Sequence, residues 1–162
     1  MFNFFKKNEM KNAKKTAEIY SIVEGQMISI EDVPDNMFAN RLLGDGVAFD
    51  FATDTIYAPC EGEVLMIAET KHAIGIKTVN NAEILIHIGM DTVNCGGEGF
   101  TLLVKEGQRV KPRQAIVKVD RQFFDKQGIS LLTPMIVTTQ EYQLEIEEAC
   151  KVNLNSLVMK IL

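Results

Sequence analysis

From Ala17 onward the apolar residues come in short runs separated by Gly, Pro, Asn and Asp. Residues 19–23, 26–30, 47–49, 55–57, 62–67, 100–104 and 115–119 read as β-strands, with turn signals about every ten residues. Between them, Pro34 breaks the segment 31–39, which is expected to form a short helical turn exposing Met37 and Phe38. Gly44-Asp45-Gly46 reads as a tight turn into the strand at 47. Asp120 is placed to cap a short helix that runs through Gln127 and ends at Gly128. Pro134 opens a further run, 135–137, which begins at a proline as an edge strand can. Residues 141–162 are strand-like with weaker punctuation. The pattern predicts an all-β domain over 16–162, an antiparallel sandwich or barrel with a few short helical turns.

Both histidines of the chain fall in one stretch, His72 in a run before Asn80-Asn81 and His87 in the run after it. Asn tolerates positive φ, so the pair reads as a hairpin turn. A two-residue turn at 80–81 sets His72 opposite Gly89; one at 79–80 sets it opposite His87. Either register puts the imidazoles on one face, because side chains alternate along a strand. A turn with an odd number of residues would put them on opposite faces. Two adjacent neutral imidazoles offer a nucleophile and a hydrogen-bond donor near neutral pH.

Composition narrows the setting. The 162 residues are 46% hydrophobic and 24% charged, ordinary for a soluble globular chain. No apolar run approaches the ~20 residues of a spanning helix, and the N-terminus does not read as a signal peptide. Cys60, Cys95 and Cys150 are widely spaced and odd in number, which fits reduced thiols in a cytoplasmic protein. Residues 1–15 hold five lysines against Glu9, a charge of +4 in a chain of −5 overall, which leaves −9 on the rest. Such an acidic body argues against nucleic acid and for protein partners with basic faces. The basic segment 1–15 reads as a flexible tail, or as a short amphipathic segment in weak contact with an anionic membrane.

Two other chemistries compete. His87, Asp91 and His72 are zinc-type ligands, but no HxH or HExxH motif accompanies them; a zinc ion shared with a partner protein at His72 and His87 remains open. The Gly-rich segment 94–99 lacks the Gly-Lys-Ser/Thr ending of a phosphate-binding loop and reads as a turn.

The stretch Ile84-Leu-Ile-His87-Ile-Gly89-Met-Asp91-Thr92-Val93 closely resembles the phosphorylation-site motif of glucose-family IIA proteins of the bacterial phosphoenolpyruvate-dependent sugar phosphotransferase system. Asp35 after Val33-Pro34, Gly44-Asp45-Gly46, Ala58-Pro59 with Gly62, Glu69-Thr70-Lys71-His72-Ala73, Gly97-Glu98-Gly99-Phe100, Glu106 through Val110, and Leu132-Thr133-Pro134 follow in the same order. The likeness spans roughly residues 18–140. It implies an antiparallel β-sandwich and a phosphoryl relay without a cofactor. The phosphoryl group would come from the phosphocarrier HPr and go to a cysteine on the IIB domain of a sugar permease. The resemblance also allows a mainly regulatory protein that binds permeases or kinases according to its phosphorylation state.

Residue by residue, it implies His87 as phosphoryl acceptor through Nε2, with the Gly89 carbonyl holding the opposite ring nitrogen. His72 would stabilise the phosphoryl oxygens and Thr70 would orient His72. Asp35 and Asp91 would be rim carboxylates. Met37, Phe38, Leu42, Leu43, Ile88, Met90 and Val93 would supply an apolar docking ring. Ala68 stands where the family has a bulkier residue, which thins that ring.

Overall fold

A computed structural model describes residues 15–162. The expected tail therefore lies, but for Lys15, outside the described residues. Among these, fourteen strands form three antiparallel sheets. The largest runs β13 (Lys151–Val152), β2 (Gly25–Ser29), β3 (Asp45–Phe51), β11 (Thr133–Val137), β7 (Glu83–His87), β6 (Ala73–Thr78), β5 (Gly62–Ile67), β9 (Arg109–Val110) in spatial order. A second joins β1 (Ala17–Tyr20), β14 (Leu157–Ile161) and β12 (Leu144–Ile146); a third joins β4 (Thr55–Tyr57), β10 (Ala115–Val119) and β8 (Phe100–Leu102). Each sheet has two free ends in this order, so the fold is a sandwich and not a barrel.

Strand alternation divides the large sheet's side chains between two apolar layers. Met27, Val47, Phe49, Ile74, Ile76, Ile84, Ile86 and Met135 point into the main core, with Ile19 and Val158 of the second sheet and Ile56 and Ile116 of the third. The intervening residues Ala48 and Ile136, with Ile28 and Leu85 packed beside them, face the other way. There Ile30, Val33 and Phe38 cover them from a segment made of a 3-10 turn (Ile30–Asp32) and helix α1 (Asn36–Ala39). Asp35 caps α1, accepting from Met37 N at 2.9 Å. Helix α2 (Arg121–Gln127) has its cap at Asp120 and its left-handed end at Gly128, as expected.

Three expectations change. The run at Pro134 is not an edge: β11 lies inside the sheet between β3 and β7. Thr138 N donates to Glu83 O, and the alternation puts the Pro134 nitrogen on the same side, opposite His87. Pairing with β7 stops at Met135–Ile86, so the missing donor falls where β7 ends. Phe38 is not exposed; it is 3% accessible and anchors the second layer, while Met37 is open to solvent. The hairpin turn holds three residues, Val79-Asn80-Asn81, with Asn81 at φ +66°. Register therefore pairs Ala73, not His72, with His87.

Candidate functional site

The odd turn should have separated the histidines, yet their ring centroids lie 5.0 Å apart at 78°. The reason is local. His87 is the last residue of β7, whereas His72 precedes β6 and escapes its alternation. A turn closed by Lys71 N to Ala68 O, with Lys71 at φ +60°, re-aims the chain there. Ile88 N then donates to His72 O at 2.7 Å, tying the bend to the end of β7.

Each ring is held by one nitrogen. His87 Nδ1 lies 3.0 Å from Gly89 O. A carbonyl only accepts, so Nδ1 of the neutral ring carries the proton and Nε2 keeps its lone pair. Gly89 can bend back in this way because it sits at φ +80°, where a Cβ would meet Thr92 Cγ2 at 2.5 Å and Ser130 O at 2.8 Å. His72 Nδ1 lies 2.7 Å from Thr70 Oγ1. The Phe38 ring packs 5.1 Å from that of His87, at 59°.

Burial holds both histidines below the ordinary imidazole value. For His72 the second cause is the neighbouring His87. For His87, the Gly89 carbonyl and the charges of Asp35 and Asp91 pull the other way without offsetting burial. The site is therefore a pair of neutral imidazoles near pH 7, one with a lone pair assigned to Nε2.

Met37, Leu42 and Leu43, on the segment that carries Phe38, and Val93, in the turn after β7, are 40–63% exposed. Asp91 is exposed at φ +59°, and Asp35 is half-buried while it caps α1. Met90 is partly buried against the second layer. Ile88 is fully buried and, like Phe38, belongs to the packing under the site, not to its rim. Among the described residues no three His, Cys, Asp or Glu side chains gather as a metal site, so His72, His87 and Asp91 do not form the zinc triad weighed above. Sequence reasoning missed the contact of Phe38 with His87, and the ion pairs of Arg41 with Glu31 and Asp45, each at 3.0 Å. The only signal for Arg41 was a charge beside the Gly44-Asp45-Gly46 turn.

Residues 17–142 match the family model described as phosphoenolpyruvate-dependent sugar phosphotransferase system, EIIA 1. The chain belongs to this family. As an EIIA it is a phosphotransferase component of a sugar-uptake phosphoryl relay. Among similar proteins, the glucose-specific EIIA component of Halalkalibacterium halodurans is 44% identical over 139 residues, 85% of this EIIA and 80% of that chain. The glucose-specific EIICBA component of Staphylococcus saprophyticus is 39% identical over 145 residues, covering 89% of this EIIA and 21% of that longer protein. The structure of glucose permease IIA from Mycoplasma capricolum superposes with a TM-score of 0.84 at 34% identity, over 90% of this EIIA and 96% of that chain.

Proposed function

We propose that this EIIA takes a phosphoryl group from HPr onto Nε2 of His87 and hands it to a cysteine of a IIB domain. The observation that carries the reading is the bond from His87 Nδ1 to the Gly89 carbonyl, which leaves Nε2 as the nucleophile. In the accepting step the Nε2 lone pair forms the new P–N bond as phosphorus parts from the carrier, which keeps the bonding electron pair. The proton stays on Nδ1, which goes on donating it to the Gly89 carbonyl as the ring becomes more cationic.

His72 serves in the other tautomer. Thr70 Oγ1 lies 2.7 Å from its Nδ1, and in this reading the hydroxyl is the donor, which leaves Nε2–H to donate to a phosphoryl oxygen. A phosphoryl group brings about −1.5 to −2 charges. A site with neutral donors and no metal cluster among the described residues holds that charge loosely, which suits a carrier that must also release it. Two imidazoles fill two of zinc's usual four positions, so a zinc ion here would need ligands from a partner.

The relatives named as glucose-specific favour glucose as the sugar served. The EIICBA relative supports a IIB partner, since EIIA-like sequence is there part of a larger permease component. We read residues 16–162 as one domain working in the cytoplasm, where its partners' phosphoryl donors and acceptors meet. Asp35 and Asp91 would face basic residues of HPr, with Leu42, Leu43 and Val93 making the apolar contact. Phe38 would support that surface from beneath. The same exposed apolar face supports a second reading, in which the unphosphorylated protein docks on permeases or kinases and phosphorylation weakens that docking.

Incubation with labelled phosphoenolpyruvate, enzyme I and HPr tests the relay. The expected product is an acid-labile, base-stable label that is absent from His87→Ala. An unlabelled wild-type protein would sink the reading. Regulation is tested by pull-down of candidate permeases with the two phosphorylation states; equal binding by both would remove it.

A further inference from the structure

We infer that Arg41 is a positioning residue for partner docking: its guanidinium bridges Glu31 and Asp45 and so fixes the loop that presents Leu42 and Leu43. The inference rests on the relay reading, because that reading makes the loop a contact for HPr.

The loop leaves the end of α1 as a short arch from Asn40 to Gly44. Its N-terminal end is held by backbone bonds, Arg41 N to Phe38 O at 3.0 Å and Leu42 N to Met37 O at 3.1 Å. Its C-terminal end is pressed on β11, for Gly44 at φ +151° has room for no Cβ: one would lie 2.1 Å from Val137 O. At the crest, Leu42 is 63% and Leu43 40% exposed. Arg41 reaches back from there, with Nη1 3.0 Å from Glu31 Oε1 and Nε 3.0 Å from Asp45 Oδ1. Glu31 stands on the 3-10 turn and Asp45 opens β3, so one side chain ties the arch to two separate supports. Asp45 is itself fixed, since the same Oδ1 accepts from Gly46 N at 2.8 Å.

Energetics separates this role from a folding role. The three side chains are 40–63% exposed, and ion pairs of that kind add little to global stability. Arg41 also sits at φ +55°, a left-handed conformation in which a residue with a Cβ is strained. A strained residue on an exposed arch keeps one geometry only where its contacts determine it. Arg41's fork, with donors fixed in a plane, can span two carboxylates; a lysine presents a single ammonium point.

Charge gives the test its sign. Arg41 with Glu31 and Asp45 forms a trio of one net negative charge. Deleting the arginine makes this face more acidic, so electrostatics alone would tighten the docking of a basic partner. Loss of the clamp loosens Leu42 and Leu43 and predicts the opposite.

The experiment measures initial rates of transfer from phosphorylated HPr to the full-length chain, over a range of HPr concentrations, at low and high salt. For Arg41→Ala the expected result is a KM raised about fivefold at both salt levels, the size of a moderate interface truncation, with kcat kept within about twofold. Arg41→Lys should recover only part of that loss. Glu31→Gln, which removes one ion pair and leaves the arch's own sequence intact, also removes a negative charge, so only a KM rise that persists at high salt, expected at about twofold, counts for the clamp; that high-salt rise decides the matter if Arg41→Ala fails to fold. A KM unchanged or lowered in the folded variants, beside a wild type that accepts normally, overturns the clamp. A wild type that accepts nothing indicts the relay reading instead.

Discussion

The two ends of the hairpin β6–β7 use polar side chains in opposite ways. At the turn, Asn80 is buried and saturated: Oδ1 accepts from Thr78, Nδ2 donates to Lys15 O and Ile161 O, and its carbonyl accepts from the Tyr142 hydroxyl. At the other end each imidazole has one nitrogen held, and neither Nε2 has a bond among the described residues. A saturated polar hub holds three chain segments together and offers nothing to a ligand. A half-satisfied pair is oriented by what it binds and remains reactive through what it does not. Polar satisfaction therefore divides the hairpin into a structural end and a chemical end.

Substitutions at the two ends should produce opposite losses. The largest effect is expected from His72→Ala, with onward transfer to the IIB domain lowered by about 10²–10⁴, the range typical of a positioned proton-transfer or hydrogen-bonding group. Its thermal unfolding should stay near wild type; a collapse in stability would make His72 a structural residue like Asn80. Gly89→Ala breaks the chemical end through the backbone. A left-handed alanine against Ser130 O should cost about 2–4 kcal/mol in denaturant unfolding and displace the carbonyl that holds His87. Full activity in a folded Gly89→Ala would remove the tautomer argument.

Asn80→Ala should cost about 2–3 kcal/mol, because the carbonyls of Lys15 and Ile161 lose their donor, yet phosphoryl acceptance per folded molecule should not change. Acceptance lost in proportion to nothing but this side chain would blur the division. Thr70→Val should lower onward transfer by about tenfold, a lost hydrogen bond's worth, with Thr70→Ser restoring it.

The smallest expected effect is in pH. Burial lowers both imidazoles from 6.5, so they remain neutral as pH falls past the point where a free ring is half protonated. Acceptance should hold level from pH 8 to about 6.5 and decline only below it. The unfolded chain takes up protons first in that window, so stability contributed by the neutral rings is present above pH 6.5 and is lost as pH falls towards their folded values. An acceptance midpoint above 6.5 would show rings more solvated than these.

The sequence carried the sandwich and its caps because those signals are local. Asp120 with Gly128 marks a helix, and Gly44-Asp45-Gly46 marks a strand start, whatever lies across the sheet. The juxtaposition of the histidines was foreseen through an even turn, but the structure reaches it through an odd one. A loop's length cannot be read from Asn80-Asn81, and the compensating bend at Lys71 depends on a left-handed conformation that no lysine advertises. Pro134 misled for a related reason: its compatibility with an interior strand depends on where the neighbouring strand ends. Phe38 and Ile88 read from sequence as rim residues, because an apolar residue beside a motif reads alike whether it faces a partner or the floor beneath.

The position of Phe38 has a consequence for how such a protein can diversify. Its ring is at once the underside of the exposed α1–loop surface and a wall against His87. Resculpting that surface from below would tilt the imidazole, so a change of partner is more easily made at Leu42, Leu43 and Val93, whose side chains are exposed. The chemistry stays fixed while its clientele drifts.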